Sequence, residues 1–423
     1  MSDFFNKRIL VAGNGVSGVG AKESLLKMGA TVSVFCDGDK FVDGDYEMIV
    51  LSPSFSKGHF LYEYAKSRDI PIIGEYALGV ALNKKPLIAI TGTNGKTTVT
   101  TMAESILSTT FRVKASGNVG VSFSSLAADE GYDVALTEVS SFQLEQTPYM
   151  RPYIAVITNI TPDHLIRHKS MEEYAKLKFS VTAHQDEKCF FILPYDDPLY
   201  DVGMLTTRAK TLYVSAKSKV NGAYIADGNI FFCGEKVTDT SVIRNYDSYH
   251  NRVNALFAVA IAKILGVKNA DIASSLSAYT VQPHRLSLVN RINGVNFFDD
   301  SKSTNPDSTL KALACMKGET VLILGGSDKG LDFDVLFKDL DNVVKICVIG
   351  EIADGIIKTA KKHGFCDVEK FSDLEKATVN AFLLSPENVL LSPASASYGE
   401  FSSYKERGEK FRSVIEDIAN GKI

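Results

Sequence analysis

Short continuous apolar runs recur along the whole chain, each broken by a glycine-rich or polar turn and followed by a stretch of helical periodicity. In the first segment, residues 1–85, Arg8–Ala12 reads as a buried strand and Thr31–Phe35 as a second strand, on either side of an amphipathic stretch that ends near Met28. Further strand-like runs at Met48–Leu51 and 70–73 alternate with a helical stretch near 62–66. A second segment, 86–282, carries runs at 87–90, 134–139, 154–157, 189–193 and 212–214, which predict a mostly parallel sheet wrapped by helices. Near its end, 250–266 predicts one helix, with Val253, Leu256, Phe257, Ala260, Ile261 and Ile264 on one face and Gly266 as its stop. In the third segment, 283–423, the runs 320–324, 345–349 and 388–391 with helices between them predict another doubly wound sheet. The basic pair Lys84 and Lys85, followed by Pro86, marks the first boundary, since proline stops both strand and helix.

Chemistry enters where these runs end. The strand at 87–90 leads into Gly92, Thr93, Asn94, Gly95, Lys96, Thr97 and Thr98, and a helix-compatible stretch follows to Leu107. Strand, glycine turn and helix in that order let backbone N–H groups curl around phosphate oxygens. Lys96 can then reach the terminal phosphates and the Thr97 hydroxyl can ligate Mg²⁺. The turn is shorter than the usual G-x-x-x-x-G-K-[ST] pattern. An earlier glycine turn, Gly13, Gly15 and Gly18, follows the first strand, and Asp37 comes nineteen residues after Gly18, at the end of the second. This is the dinucleotide-fold signature, read either as nucleotide or diphosphate contact at Gly15, Val16 and Ser17 or as close helix–strand packing.

Other polar residues cluster just past strands, where open α/β sheets gather ligands. Glu138 ends the run 134–139 and is placed to approach a metal near Thr97; the bland alternative is a surface acid. Asp163 and His164 follow the run 154–157 and read equally as metal ligands or as packed polar residues. Lys176 and Lys178 read as a solvated helix face, because an ammonium cannot bind a cation. Three loops of small and polar residues, at 299–306, 325–330 and 392–397, lie beyond strands of the third segment and together predict a binding cleft.

Composition narrows the classes. A net charge of −4 argues against a general nucleic-acid binder, so a polyanionic ligand must be held by local lysines, helix N-termini and metal. Six scattered cysteines with no C-x-x-C pair argue against a zinc ribbon or a disulfide framework and fit a reducing cytosol. The first residues lack the apolar region of a signal peptide, and the apolar run 255–262 is far short of the roughly 20 residues that span a bilayer.

The order of these pieces resembles the Mur ligase family across essentially the whole chain. The residues that carry the resemblance are Gly92 to Thr98, Glu138 to Gln143, Asn159 to His164, Asp300 to Asn305 and Leu391 to Ser397. The resemblance implies an α/β protein of three domains: a Rossmann-like N-terminal domain (1–85) for the UDP part of the substrate, a central P-loop-type mononucleotide-binding domain (86–282) for ATP, and a Rossmann-like C-terminal domain (283–423) for the incoming amino acid. The last two motifs resemble those of the branch that adds D-glutamate, and the D-N-P-R signature of the diaminopimelate-adding branch is absent. The implied activity is an ATP-dependent amide ligation of D-glutamate to UDP-N-acetylmuramoyl-L-alanine through an acyl phosphate, in peptidoglycan synthesis, by a cytoplasmic monomer. It also implies ATP and two Mg²⁺ ions, with Lys96, His164 and Lys178 as catalytic residues and Thr97, Glu138, His164 and Lys178 at the metals, the last as a carbamylated lysine.

By the same resemblance Asn254, Arg285 and Asp300 join the phosphate loop around ATP. Gly15, Val16, Ser17, Asp37, Asn118 and Ser140 fall at the UDP-linked substrate, and Lys302, Thr304, Lys329, Ser397 and Tyr404 at D-glutamate. Ile166 stands where the family often has an acid. Another ligase of the same architecture, such as a folylpolyglutamate synthase, is the rival within the class. A dinucleotide-dependent oxidoreductase, read from Gly13 to Gly18 and Asp37, is the rival outside it, and a nucleotide-gated binding protein is a third reading.

Overall fold

A computed structural model of the chain describes residues 4–196, 207–246, 248–328, 330–338 and 340–423. The first sheet contains β1 (Arg8–Ala12), β2 (Thr31–Phe35), β3 (Met48–Leu51) and β4 (Ile72–Gly74), all parallel, in the order β2-β1-β3-β4. Ile9 and Val11 of β1 pack into one apolar cluster with Leu25 and Leu78, while Leu10 and Ala12 pack into another with Phe35 and Leu61. Both faces are therefore covered, and this is why the strand reads as a continuous apolar run.

The second sheet contains β5 (Leu87–Thr91), β6 (Val113–Gly117), β7 (Val134–Glu138), β8 (Ile154–Ile157), β9 (Phe190–Pro194), β10 (Lys210–Ser215), β11 (Gly222–Ala226), β12 (Asn229–Phe232) and β13 (Glu235–Asp239). Its order is β13-β12-β11-β10-β9-β8-β5-β7-β6. The sheet is parallel from β6 across to β11, and two antiparallel hairpins finish it. Those hairpins turn at Asp227-Gly228 and Cys233-Gly234, all four residues at positive φ (49, 70, 47 and 86°), the twist that two-residue connections favour. The strand order reverses around β5, with β7 on one side and β8 on the other. The loop after β5 thus sits at a topological switch point, where such sheets bind ligands.

The third sheet contains β14 (Ser287–Ile292), β15 (Val295–Asp299), β16 (Thr320–Gly325), β17 (Val343–Ile349), β18 (Val368–Lys370) and β19 (Asn388–Leu391), in the order β14-β15-β19-β16-β17-β18. Only β14 runs antiparallel, joined to β15 by an Asn293-Gly294 turn with φ of 49 and 90°.

The chain forms two compact units, 1–160 with 172–279 and 161–171 with 280–423. Inside the first unit the first two sheets meet along a close seam. A Cβ on Gly20 would lie 1.8 Å from the Ser122 hydroxyl oxygen, so only glycine allows this approach.

One expectation about packing fails. The helix Tyr249–Ile264 does not bury a single face: every residue from Asn254 to Ala262 is buried. It lies between the helix Lys96–Leu107 and strands β10 to β12, so both its sides are interior, and an all-round apolar helix is the outcome.

Candidate active site

The phosphate loop is built by β5, buried along its whole length, and by the helix Lys96–Leu107 that starts at Gly95. Gly92 and Gly95 take positive φ, 140 and 85°. Side chains are excluded at both: a Cβ on Gly92 would lie 2.0 Å from the Thr158 hydroxyl oxygen, and one on Gly95 would lie 2.7 Å from Asn254 Oδ1. The end of β8 braces the loop. Asn94 donates its backbone N–H to Asn159 Oδ1 (2.9 Å), and its carbonyl accepts from the Thr158 hydroxyl (2.6 Å) and Asn159 Nδ2 (2.9 Å). Thr158 and Asn159 are structural partners of the loop that sequence reading left without a role, although both stand in the polar run after a buried strand.

Two lysines converge on this loop. Lys96 Nζ donates to the carbonyls of Gly92 (2.9 Å) and Thr93 (2.7 Å), and Lys178 Nζ donates to Gly92 (2.8 Å). Lys178 is 1% exposed and lies over the Tyr174 ring, 4.6 Å from its centroid, while the Tyr174 hydroxyl meets Thr93 Oγ1 at 3.2 Å. The solvated-face reading of the two lysines holds for Lys176 alone, which pairs with Glu172 at the surface (2.5 Å). The helix Met171–Phe179 turns Lys178 and Tyr174, four residues apart, to the same inner side. Thr97 lies in the first turn of the helix, half-buried, and Thr98 is buried.

Glu138 closes β7, next to β5, and is 2% exposed, which rules out the surface-acid alternative. Asn118 binds it twice, donating its backbone N–H to the Glu138 carbonyl (2.9 Å) and Nδ2 to Oε1 (2.7 Å). The other carboxylate oxygen, Oε2, is buried without a hydrogen-bond partner among the described residues. A buried anionic oxygen left unsatisfied is costly unless a cation meets it, so this donor suits a hard ion such as Mg²⁺. Among the described residues no three His, Cys, Asp or Glu side chains form a metal cluster, so such an ion would draw its other ligands from different groups. Ser140 caps the helix Ser141–Glu145: its hydroxyl accepts from the Gln143 N–H (3.2 Å), and its own N–H donates to Gln143 Oε1 (2.9 Å).

In the first sheet the two readings of the glycine turn apply to different residues. Gly13 and Gly18 are packing positions, where a Cβ would lie 2.3 Å from the Ser52 hydroxyl and 2.0 Å from the Gly13 carbonyl, respectively. Gly15 has open space around it and begins the helix Val16–Lys27 without a side-chain cap; Val16 is exposed and Ser17 half-buried. Ser52, just past β3, directs a buried hydroxyl with no partner among the described residues toward this turn. Sequence reading missed it, and its only signal was a serine directly after a buried strand. Asp37 accepts a hydrogen bond from His59 Nε2 (2.8 Å). His59 Nδ1 accepts from the Leu61 N–H (3.3 Å), which fixes the ring proton on Nε2.

In the second unit the three polar loops do converge, at the carboxyl ends of the adjacent strands β15, β19 and β16. The Ser392 hydroxyl donates to Asp300 Oδ2 (2.7 Å), the Ser395 hydroxyl donates to the Ser327 carbonyl, and Ser327 bridges Ala396. Asp300 is buried, and burial pushes its carboxyl up to about 7 against the pull of Ser303, Ser392, the Leu286 N–H and the Arg285 charge. Arg407, 1% exposed, ties the loops together by donating to Ser301 Oγ and to the carbonyls of Ser301, Gly325, Ser395 and Ala396, at 2.9–3.3 Å. Lys302 Nζ lies 3.8 Å from the centre of the Tyr404 ring, Ser397 is buried nearby in sequence to that cluster, and Thr304 is half-buried. Lys329 lies outside the described residues. Asp163 and His164 belong to this unit: Asn305 Nδ2 reaches Asp163 Oδ2 at 3.4 Å, His164 Nε2 is 3.6 Å from the same oxygen, and His164 sits at φ 54°.

The Mur ligase middle domain matches residues 90–262, and the Mur ligase glutamate ligase domain matches 284–395. A UDP-N-acetylmuramoylalanine–D-glutamate ligase of Caldanaerobacter subterraneus subsp. tengcongensis is 37% identical to this chain, over 97% of it and 98% of the relative. The chain belongs to the Mur ligase family. A relative of the same name from Streptococcus pneumoniae is 34% identical, with 99% of each chain covered. In fold, this Mur ligase is similar to the MurF ligase of Thermotoga maritima in complex with ADP (TM-score 0.62, 17% identity, 99% of each chain). It is also similar to a pseudomurein peptide ligase type C of Methanothermus fervidus (TM-score 0.62, 17% identity, 98% of this chain and 100% of that one). The three parallel-rich sheets are the Mur ligase architecture, and membership displaces the oxidoreductase reading of the first glycine turn.

Proposed function

We propose that this Mur ligase joins D-glutamate to UDP-N-acetylmuramoyl-L-alanine at the expense of ATP, through an acyl phosphate, in peptidoglycan synthesis. The observation that carries the reading is similarity along the full length to ligases named for that reaction. The phosphate loop, the buried Glu138 and the three convergent C-terminal loops supply the groups it needs. No helix among the described residues is long and apolar enough to cross a membrane, and a cytoplasmic, monomeric enzyme is part of the proposal.

In the first step the substrate carboxylate oxygen attacks the γ-phosphorus of ATP. A new P–O bond forms, the bond to the β-phosphate oxygen breaks, and ADP leaves. In the second, the D-glutamate amine attacks the acyl carbon, an amide forms, phosphate departs and the amine gives up a proton. Lys96 neutralises charge on the β- and γ-phosphate oxygens, and the backbone N–H groups from Gly92 to Thr98 hold them in place. Asn254 beside Gly95, together with Arg285 and Asp300, would contact the nucleotide. Gly15, Val16, Ser17, Asp37 and the newly found Ser52 would hold the UDP part, with Asn118 and Ser140 on the muramoyl part. Lys302, Thr304, Lys329, Ser397 and Tyr404 would surround D-glutamate. Thr97, Glu138, His164 and Lys178, the last as a carbamate, would hold two Mg²⁺ ions, which when bound supply positive charge between two mutually repelling anions. Positioning three substrates together supplies much of the remaining acceleration.

The test is a ligation assay with the purified chain, ATP, Mg²⁺ and UDP-N-acetylmuramoyl-L-alanine, offering D-glutamate, L-alanine or diaminopimelate. Phosphate release and a ligated product with D-glutamate alone are expected. Ligation of another amino acid would reassign the branch, and ATP hydrolysis with no ligated product would leave a nucleotide-gated binding protein.

A further inference from the structure

Glu75 is a buried carboxylic acid, 1% exposed, that the proposed reaction leaves unused. It opens the helix Glu75–Leu82 on the seam between the first two sheets. Its Oε1 accepts from the Ser124 N–H (2.8 Å) and the Ser124 hydroxyl (2.7 Å), and its Oε2 is buried with no hydrogen-bond partner among the described residues. An apolar side chain would fill a contact between helices at far lower cost than a carboxyl group with one oxygen unsatisfied. Burial pushes the acid up, although the Ser124 bonds and the nearby Phe123 N–H pull it down, and favouring the neutral form lowers that cost without removing it.

What Glu75 holds explains why it is there. Ser124 lies in the helix Phe123–Ala127, directly after the loop 117–121 that carries Asn118. That loop closes on itself through Gly117 N–H to the Val121 carbonyl (2.9 Å) and on Glu138 through the two Asn118 bonds. The next residue, Tyr76, meets Thr137 Oγ1 through its hydroxyl at 2.7 Å, one position before Glu138. Two consecutive residues of one helix thus grip Ser124, in the helix that follows the Asn118 loop, and Thr137, the residue before Glu138.

We propose that Glu75 is a positioning residue for the UDP-muramoyl substrate, holding through Ser124 the loop that presents Asn118 beside Glu138. The inference rests on the proposed function only in what Asn118 contacts; the ordering of the loop stands apart from it.

The experiment compares the full-length chain with E75A and E75Q. In E75A the KM for UDP-N-acetylmuramoyl-L-alanine should rise by about tenfold, while the Kd of a non-hydrolysable ATP analogue stays within about twofold. Amide exchange across 117–124 should quicken. E75Q keeps the shape and an acceptor oxygen and should restore most of the affinity. A folded E75A with unchanged KM, or with ATP affinity weakened as much as that for the muramoyl substrate, overturns the proposal. Should E75A fail to fold, S124A removes the hydroxyl bond alone and should raise KM by about threefold; an unchanged KM there overturns it as well. Absence of any ligated product from the unaltered chain would sink the proposed function instead. Loop exchange would still decide the role of Glu75, since unchanged exchange in E75A sinks it and faster exchange upholds it.

Discussion

The Lys178 ammonium donates a 2.8 Å hydrogen bond to the carbonyl oxygen of Gly92. A lysine this buried is costly as a cation, a cost that the Tyr174 ring face and the Gly92 carbonyl reduce. Carbamylation would turn the same side chain into an oxygen-bearing anion at the phosphate loop. K178A should therefore lower ATP-dependent ligation by about 10²-fold or more, with partial recovery on adding a short carboxylic acid such as acetate. Phosphate release with and without the acid is the measurement, and undiminished turnover in K178A would exclude the carbamate role.

Lys96 reaches back over its own loop to the carbonyls of Gly92 and Thr93, so its amine is held where phosphate oxygens are expected. K96A should cost roughly 10²–10³-fold in kcat and leave the fold intact, since the side chain is only part-buried. Steady-state phosphate release together with thermal unfolding separates the two effects. Normal turnover would remove the phosphate loop from the mechanism.

Asp300 makes stability depend on pH. An unfolded aspartate titrates near 3.8, and in the folded chain burial lifts Asp300 to about 7. The folded state thus binds this proton more tightly than the unfolded state. The stability it contributes is fully present below the unfolded value and is lost as pH rises through about 7. Between about pH 4 and 7 the unaltered chain should lose stability that D300N retains. Urea unfolding at several pH values measures this, and parallel curves for the two proteins would contradict it.

Arg407 spends its donors on four carbonyls and one hydroxyl of the loops after β15, β16 and β19. R407M fills much of the volume but leaves those acceptors short, so a loss on the order of 3 kcal/mol is expected. Denaturant unfolding followed by hydrogen exchange should place the loss at residues 299–303, 325–328 and 392–397. A uniform change across both units would argue for general weakening instead.

Much of this architecture was legible because the signals are local. Arg8–Ala12 and Ile154–Ile157 are continuous apolar runs and Thr31–Phe35 is rich in β-formers, and all three form strands with the expected bounds. Gly92, Gly95 and Lys96 signal a phosphate loop through the strand before them and the helix after, although their spacing is shorter than the usual pattern. The antiparallel edges were not read, although Asp227-Gly228 and Asn293-Gly294 are strong hairpin signals, because the strands beside them are short and half-exposed and give little apolar pattern. Residue type alone misplaced Lys178: a lysine two residues from Lys176 and five from Glu173 reads as surface, the family resemblance pointed inward instead, and the positions of Tyr174 and Gly92 show that it is buried. Ser52, Glu75 and Arg407 were invisible for a related reason, since each acts on a partner more than thirty residues away along the chain or on several loops at once.

The absence of room for even a methyl group at Gly20, against Ser122, reaches beyond stability. Recombining this chain with a homologue at the Lys84-Lys85-Pro86 junction would pair two surfaces shaped by separate histories. Such a hybrid would require glycine from one parent and a compact serine turn from the other, which makes the junction most apparent in the sequence a poor place to cut.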